Sequence, residues 1–152
     1  MVTPAMERSM QYAEKVNYWK TGKSSPDVWL EKAKKEIRAV GGELKASLSI
    51  DEGDSGRAAF CLAFVLEDEL YRIKWPVLQS KTKDVHAAKR QAATALYYDV
   101  KAKCVMLKFL GAHAAFLPYL ELPNGQTAAE AASAFLVDAL PKLLVAGPGV
   151  AL

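Results

Sequence analysis

Between residues 43 and 75 the chain reads Glu43-Leu44-Lys45-Ala46-Ser47-Leu48-Ser49-Ile50, then Ala58-Ala59-Phe60-Cys61-Leu62-Ala63-Phe64-Val65-Leu66, then Tyr71-Arg72-Ile73-Lys74-Trp75. In the first run Leu44, Ala46, Leu48 and Ile50 alternate with Glu43, Lys45, Ser47 and Ser49. A period of two marks a strand, because successive side chains leave opposite faces of the pleat. The second run sets Phe60, Leu62, Phe64 and Leu66 on one face. Its other face (Ala59, Cys61, Ala63, Val65) is small but also apolar, so cover is predicted on both sides. The third run alternates again, and Pro76, which has no N–H to donate, is predicted to end it. The connections, Asp51 to Gly56 and Glu67-Asp68-Glu69, are too short for a parallel crossover. Three antiparallel strands in a meander follow.

A helix is predicted on either side of this sheet. On the upstream side, Ser25 suits an N-cap, Pro26 the first helical position and Asp27 the positive end of the dipole. Trp29, Ala33, Ile37 and Val40 recur at helical spacing, and Gly41-Gly42 ends the run. Downstream, a long helix is predicted from Asp84 to Leu110, stopped by Gly111. At 100° per residue, Val85, Ala93, Leu96, Val100, Cys104 and Leu107 share the face that meets the sheet. Arg90, Tyr97, Lys101 and Lys108 fall in a narrow arc about a quarter-turn away. A third arc holds Ala87, Ala95, Tyr98, Ala102, Val105 and Phe109. The helix is thus apolar on two sides with a basic seam between them, and its second side needs cover from the C-terminal segment or from another subunit.

The fold class is therefore α+β: an α-β-β-β-α core with a three-stranded antiparallel meander, a long second helix, and a C-terminal extended segment plus helix. The extended segment is predicted over 114–122, broken by Pro118. The final helix opens at the capping box Thr127-Ala128-Ala129-Glu130 and runs to about Leu140. Residues 1–24 form a weakly patterned N-terminal segment with a short helix from Pro4 to about Val16. Residues 25–145 form one domain, and 146–152 a fraying tail.

At 152 residues the chain is long enough for one domain with a substantial core. The longest uncharged run, Phe109 to Leu120, is too short to span a bilayer and is interrupted by Gly111 and Pro118. No signal layout opens the chain, so a cytoplasmic location is predicted. Cys61 and Cys104 have no metal-ligand spacing between them and read as reduced core residues. No metal or other cofactor is predicted.

The sequence carries little that resembles an enzyme. Its two histidines, His86 and His113, are far apart and have no ligand-spaced partners. Gly22-Lys23-Ser24 resembles the end of a phosphate loop, but the upstream glycine and the preceding strand are missing. The acidic run Glu67 to Glu69 reads as a solvated hairpin tip. No catalytic residue is assigned.

Charge points elsewhere. Net charge is only +3, yet residues 81–108 hold seven basic residues against Asp84 and Asp99, leaving that stretch at +5. Lys81, Lys83, Lys89 and Arg90 gather at a helix start, where free amides already favour phosphate. Lys101 and Lys108 extend the line, with Tyr97 between Arg90 and Lys101. Single-strand binders combine such backbone-tracking cations with aromatic platforms. A second basic–aromatic cluster, Lys15, Tyr18, Trp19, Lys20 and Lys23, lies on the N-terminal segment.

The order of elements, with Lys81-Thr82-Lys83-Asp84-Val85-His86-Ala87-Ala88-Lys89-Arg90-Gln91-Ala92-Ala93 opening the second helix, resembles the double-stranded RNA-binding domain. That resemblance implies phosphate contacts from Lys81, Lys83 and Lys89. The acidic loop from Asp51 to Gly56 and the apolar lead-in Trp75-Pro76-Val77-Leu78 depart from that family and count against duplex RNA as ligand. The same order resembles the single-strand annealing proteins of homologous recombination, which lay DNA along a basic groove and assemble into rings. The expectation is a non-enzymatic, oligomeric protein that binds or anneals single-stranded DNA. The alternative is a phage or mobile-element adaptor that binds proteins through Tyr98, Val105 and Phe109 of the long helix.

Overall fold

The computed structural model describes residues 11–52 and 57–133. Helix α1 (Pro26–Ala39) starts where proline presets φ. Ser25 stands at the N-cap with extended backbone, but its side chain makes no capping bond; its carbonyl accepts from the Val28 amide at 3.2 Å. Leu30, Ala33 and Ile37 are buried, while Trp29, predicted on the same stripe, is half-buried against Tyr97 and Tyr98. The helix closes on two glycines. Gly41 has a φ of 91°, and the Gly41 and Gly42 amides return to the Arg38 and Ile37 carbonyls at 3.0 and 2.9 Å. A Cβ at Gly42 would strike the Ile37 side chain and lie 2.8 Å from its carbonyl oxygen.

Strands β1 (Glu43–Glu52), β2 (Arg57–Leu66) and β3 (Glu69–Val77) pair antiparallel in that order. This is the predicted meander. Phe60, Leu62 and Phe64 lie opposite Trp75, Ile73 and Tyr71, and this face packs on the helices. Glu67 and Asp68 both have positive φ (49° and 66°), as a two-residue hairpin that follows the strand twist requires. Pro76 does not end β3. The strand runs on to Val77, because β3 is an edge strand and tolerates a missing donor on its open side.

Strand β1 breaks its own alternation. The register slips between Leu44 and Ala46, so Leu44 lies opposite Phe64 on the helix side. Beyond the slip, Ala46, Leu48 and Ile50 pair with Ala63, Cys61 and Ala59 on the outer side. One extra residue turns every later side chain to the other face. Leu48 is consequently 61% exposed. The predicted cover on the second face of β2 is partial: Ala59 is buried, whereas Cys61, Ala63 and Val65 are half-buried.

Helix α2 (Val85–Leu110) begins at Asp84, whose Oδ1 accepts from the Ala87 amide at 3.1 Å. Ala93, Leu96, Val100 and Cys104 are buried against α1 and the sheet, and Leu107 packs at the margin. Val85, predicted on that face, is largely exposed, since angular position alone does not bury a first-turn residue. Gly111, with φ of 87°, ends the helix.

The chain then turns helical again, in α3 (Ala112–Phe116) and a 3-10 turn at Leu117–Tyr119. The predicted extended segment over 114–122 is thereby reduced: Leu120 bridges Tyr71 and Glu121 bridges Thr127. Helical spacing returns two rings to the core. Phe116 is fully buried between Phe64 and Tyr71, and the Tyr119 hydroxyl donates to Asp99 at 2.9 Å. The capping box forms, with Glu130 N to Thr127 Oγ1 at 3.3 Å and Thr127 N to Glu130 Oε1 at 3.1 Å. The predicted course of the last helix past 133 and the tail at 146–152 lie outside the described residues, as do turn residues 53–56. So does the start of the predicted 4–16 helix, of which the described part holds one 3-10 turn, Ala13–Lys15.

Candidate nucleic-acid interface

Residues 11–24 lie as a strap along the first turns of α2. Gln91, 3% exposed, points its carboxamide out of α2, and Nε2 donates to the carbonyls of Ala13 (2.8 Å), Val16 (3.0 Å) and Asn17 (3.0 Å). One position earlier, Arg90 Nη1 donates to the Gly22 carbonyl at 2.9 Å. The Tyr18 ring stacks on Tyr98 with centroids 5.3 Å apart and planes 13° from parallel.

A second set of bonds fastens the strap to the loop that leads into α2. The Ala13 amide donates to the Gln79 carbonyl at 2.8 Å. The Glu14 carboxylate accepts from Ser80 Oγ (2.8 Å), the Lys81 amide (3.0 Å) and the Thr82 amide (3.2 Å). Partial desolvation pushes the Glu14 pKa up, but these donors together outweigh it and bring the carboxyl down to about 2.

This packing joins the two basic clusters that stand some sixty residues apart in sequence. Lys20 reaches Asp84 at the N-cap of α2, with Nζ 3.3 Å from Oδ2. The Asp84 carboxyl is held below its ordinary value, first by the Ala87 amide and then by Lys20. Lys20 also lies over the Trp19 ring at 5.6 Å, and Lys81 over the Tyr12 ring at 5.1 Å. Lys23 and Lys83 are exposed and make no ion pair among the described residues. Lys89 is half-buried and pairs with Asp51 at 3.1 Å. Tyr18, Lys20 and Lys83 all have positive φ (71°, 52° and 59°), a costly conformation for residues with a Cβ. No family model, curated protein or solved structure matches this chain.

Other members of the predicted seam fall elsewhere. Tyr97 is half-buried beside Trp29 at 5.4 Å, so its ring is not a free platform. Lys101 lies over that ring at 5.9 Å, and Lys108 sits in the last turn of α2. At ~1.5 Å per residue, Lys108 is about 28 Å along the helix from Lys89. Lys103 pairs with Asp99 at 2.9 Å. The seam is therefore interrupted, with its middle taken up by internal packing.

The second apolar side of α2 is divided as well. Its first half carries the strap: Ala87 is buried there and Tyr98 stacks on Tyr18. Towards the other end Val105, Met106, Leu110 and, at 83% exposure, Phe109 are open.

Sequence reasoning missed Tyr12, Glu14 and Gln91. A glutamine among the alanines of a buried row was a signal for Gln91; nothing in the local sequence marked Glu14. Among the described residues no three His, Cys, Asp or Glu side chains come together as a metal site, and no helix is long and apolar enough to cross a membrane.

Proposed function

We propose that this protein binds single-stranded nucleic acid, DNA in the first instance, at the junction of the strap and the start of α2. One observation carries the reading: the strap brings Lys20, over the half-buried Trp19 ring, to Asp84 at the start of α2, next in sequence to exposed Lys83, while Lys81 lies over the exposed Tyr12 ring. Exposed Lys23 follows on the strap. Cations able to follow a phosphate backbone stand there beside rings on which bases can stack. Lys89 borders the patch, and Lys101 and Lys108 provide a distant second basic station. The protein acts without catalysis, as an oligomer in the cytoplasm, and annealing of complementary strands is the activity such a surface would support.

The test is fluorescence anisotropy with a labelled thymidine strand of about 20 nucleotides at about 50 and about 200 mM salt. Binding should weaken steeply with salt. Changing Lys81, Lys83 and Lys89 together to Glu should abolish it and leave the circular dichroism spectrum unchanged. If the wild-type protein binds no DNA or RNA strand at the lower salt, the reading is wrong.

A second reading has its own observation, the exposed row Val105, Met106, Phe109 and Leu110 at the end of α2. Contiguous apolar surface of this kind marks protein contacts. It favours an adaptor that binds proteins through this row, with Tyr98 only partly available beneath Tyr18.

A further inference from the structure

We infer that Glu14 and Gln91 are the positioning residues of the nucleic-acid surface: they hold the strap so that its lysines and Trp19 face the ligand beside the α2 lysines, and neither touches nucleic acid itself. This inference rests on the function proposed above.

A polar side chain in the buried, alanine-rich row of α2 loses its water and must regain every hydrogen bond. Alanine at 91 would avoid that demand and favour the helix more. Gln91 instead spends its two N–H donors on three strap carbonyls spanning Ala13 to Asn17. Those carbonyls stand at the entry to the tight run that carries Tyr18, Trp19 and Lys20.

Glu14 does the matching work on the other flank. Its carboxylate collects the amides of Lys81 and Thr82 together with the Ser80 hydroxyl. Lys81 projects from a residue bonded to Glu14, and Lys83 follows two positions later. One strap turn, Ala13–Lys15, thus carries the first of the Gln91 acceptors, the Ala13 carbonyl, together with the carboxylate for the lysine loop.

Backbone strain gives a separate observation. Of the five non-glycine residues with positive φ among the described residues, two form the β2–β3 hairpin; the other three are Tyr18, Lys20 and Lys83, all in the two clasped segments. Conformations that cost on the order of 1 kcal/mol each persist only where the surroundings over-determine them. Glu14 and Gln91 provide that restraint from inside. A strap serving only to cover α2 has no need of a lysine in strained backbone; one that must aim Lys20 alongside the loop's Lys83 does.

The experiment is a cycle on the full-length protein. Lys20 and Lys23 are changed together to Gln, in the wild type and in Gln91→Met, which keeps the side-chain length and removes the donors. Glu14→Gln is the milder companion, should Gln91→Met fold poorly. Affinity for the labelled thymidine strand is measured across salt, and quenching of Trp19 by the strand is assigned with Trp19→Phe.

Gln91→Met is expected to weaken binding about five- to tenfold and to flatten the salt dependence by about 1.4 units of slope, the amount lost when two phosphate contacts to a single strand go. Trp19 quenching should fall with it. Neutralising Lys20 and Lys23 should then cost almost nothing further in that background. Equal losses in both backgrounds, or a lowered melting temperature with unchanged salt slope and quenching, would overturn the inference and leave the proposed function standing. Failure of the wild type to bind overturns both.

Discussion

At Gly42 a missing Cβ decides how a helix hands over to a strand. The close approach of Ile37 leaves no room for a methyl group, and its backbone carbonyl cannot swing away. Gly42→Ala should cost about 1–3 kcal/mol in urea unfolding, whereas Gly22→Ala, with nothing within 4 Å of the added atom, should stay within about 0.5 kcal/mol. Glu14 gives a second residue-scale expectation. Its folded pKa of about 2 lies below the ordinary 4.5, so its bonds stabilise the fold fully above pH 4.5. That stabilisation is lost as the pH falls through this range towards 2. Glu14→Gln should therefore flatten the acid limb of a stability–pH curve measured between pH 5 and 2, and leave its upper part parallel to the wild type. A curve with an unchanged acid limb would show that the carboxylate is not clasped.

Among the elements, β1 teaches the most. Its sequence alternates without a flaw, yet the slip after Leu44 sends Leu48 outward, and no pattern of apolar residues announces it. Leu48→Ser should change stability by no more than about 0.5 kcal/mol, although Leu62→Ala, at a buried position opposite Ile73, should cost about 2–5 kcal/mol. Comparable losses at the two positions in thermal or urea unfolding would place Leu48 in the core and contradict the register. The segment after Gly111 differs for another reason. Pro118 and the apolar run favoured extended chain on local grounds, but burying Phe116 against Phe64 and Tyr71 rewards a helical course. Tertiary packing outweighed a weak local preference there.

On the scale of the whole molecule, α2 works along its length. The sheet and α1 take one side, the strap takes the first half of another, and the last turns keep Val105, Met106, Phe109 and Leu110 open. If this row joins copies of the chain, Phe109→Asp should shift the molar mass measured by light scattering to that of a monomer. Its melting temperature should stay near that of the wild type, because a ring 83% exposed contributes little to the core. An unchanged mass would remove Phe109 from any assembly contact. The charge-reversed lysines at the opposite end should leave assembly intact, since about 24 Å of helix or more separates the two regions.

Much of this protein could be read along the chain because its elements announce themselves locally. Pro26 and Asp84 mark helix starts, Gly41-Gly42 and Gly111 mark ends, and Thr127 with Glu130 writes a capping box. In each, the groups that interact lie within a few residues of one another. The alternating runs likewise foretold the meander, because short connections leave antiparallel pairing as the one available course. The strap could not be read that way. Its bonds join Glu14 to Ser80 and Gln91 to Ala13, pairs separated by more than sixty residues, and nothing near Glu14 or Ala13 in the sequence names the distant partner. Two basic clusters that are separate in sequence become one surface only when α2 offers Gln91 and the loop offers its amides. Local periodicity specifies the elements, while contacts distant in sequence select which surfaces they share.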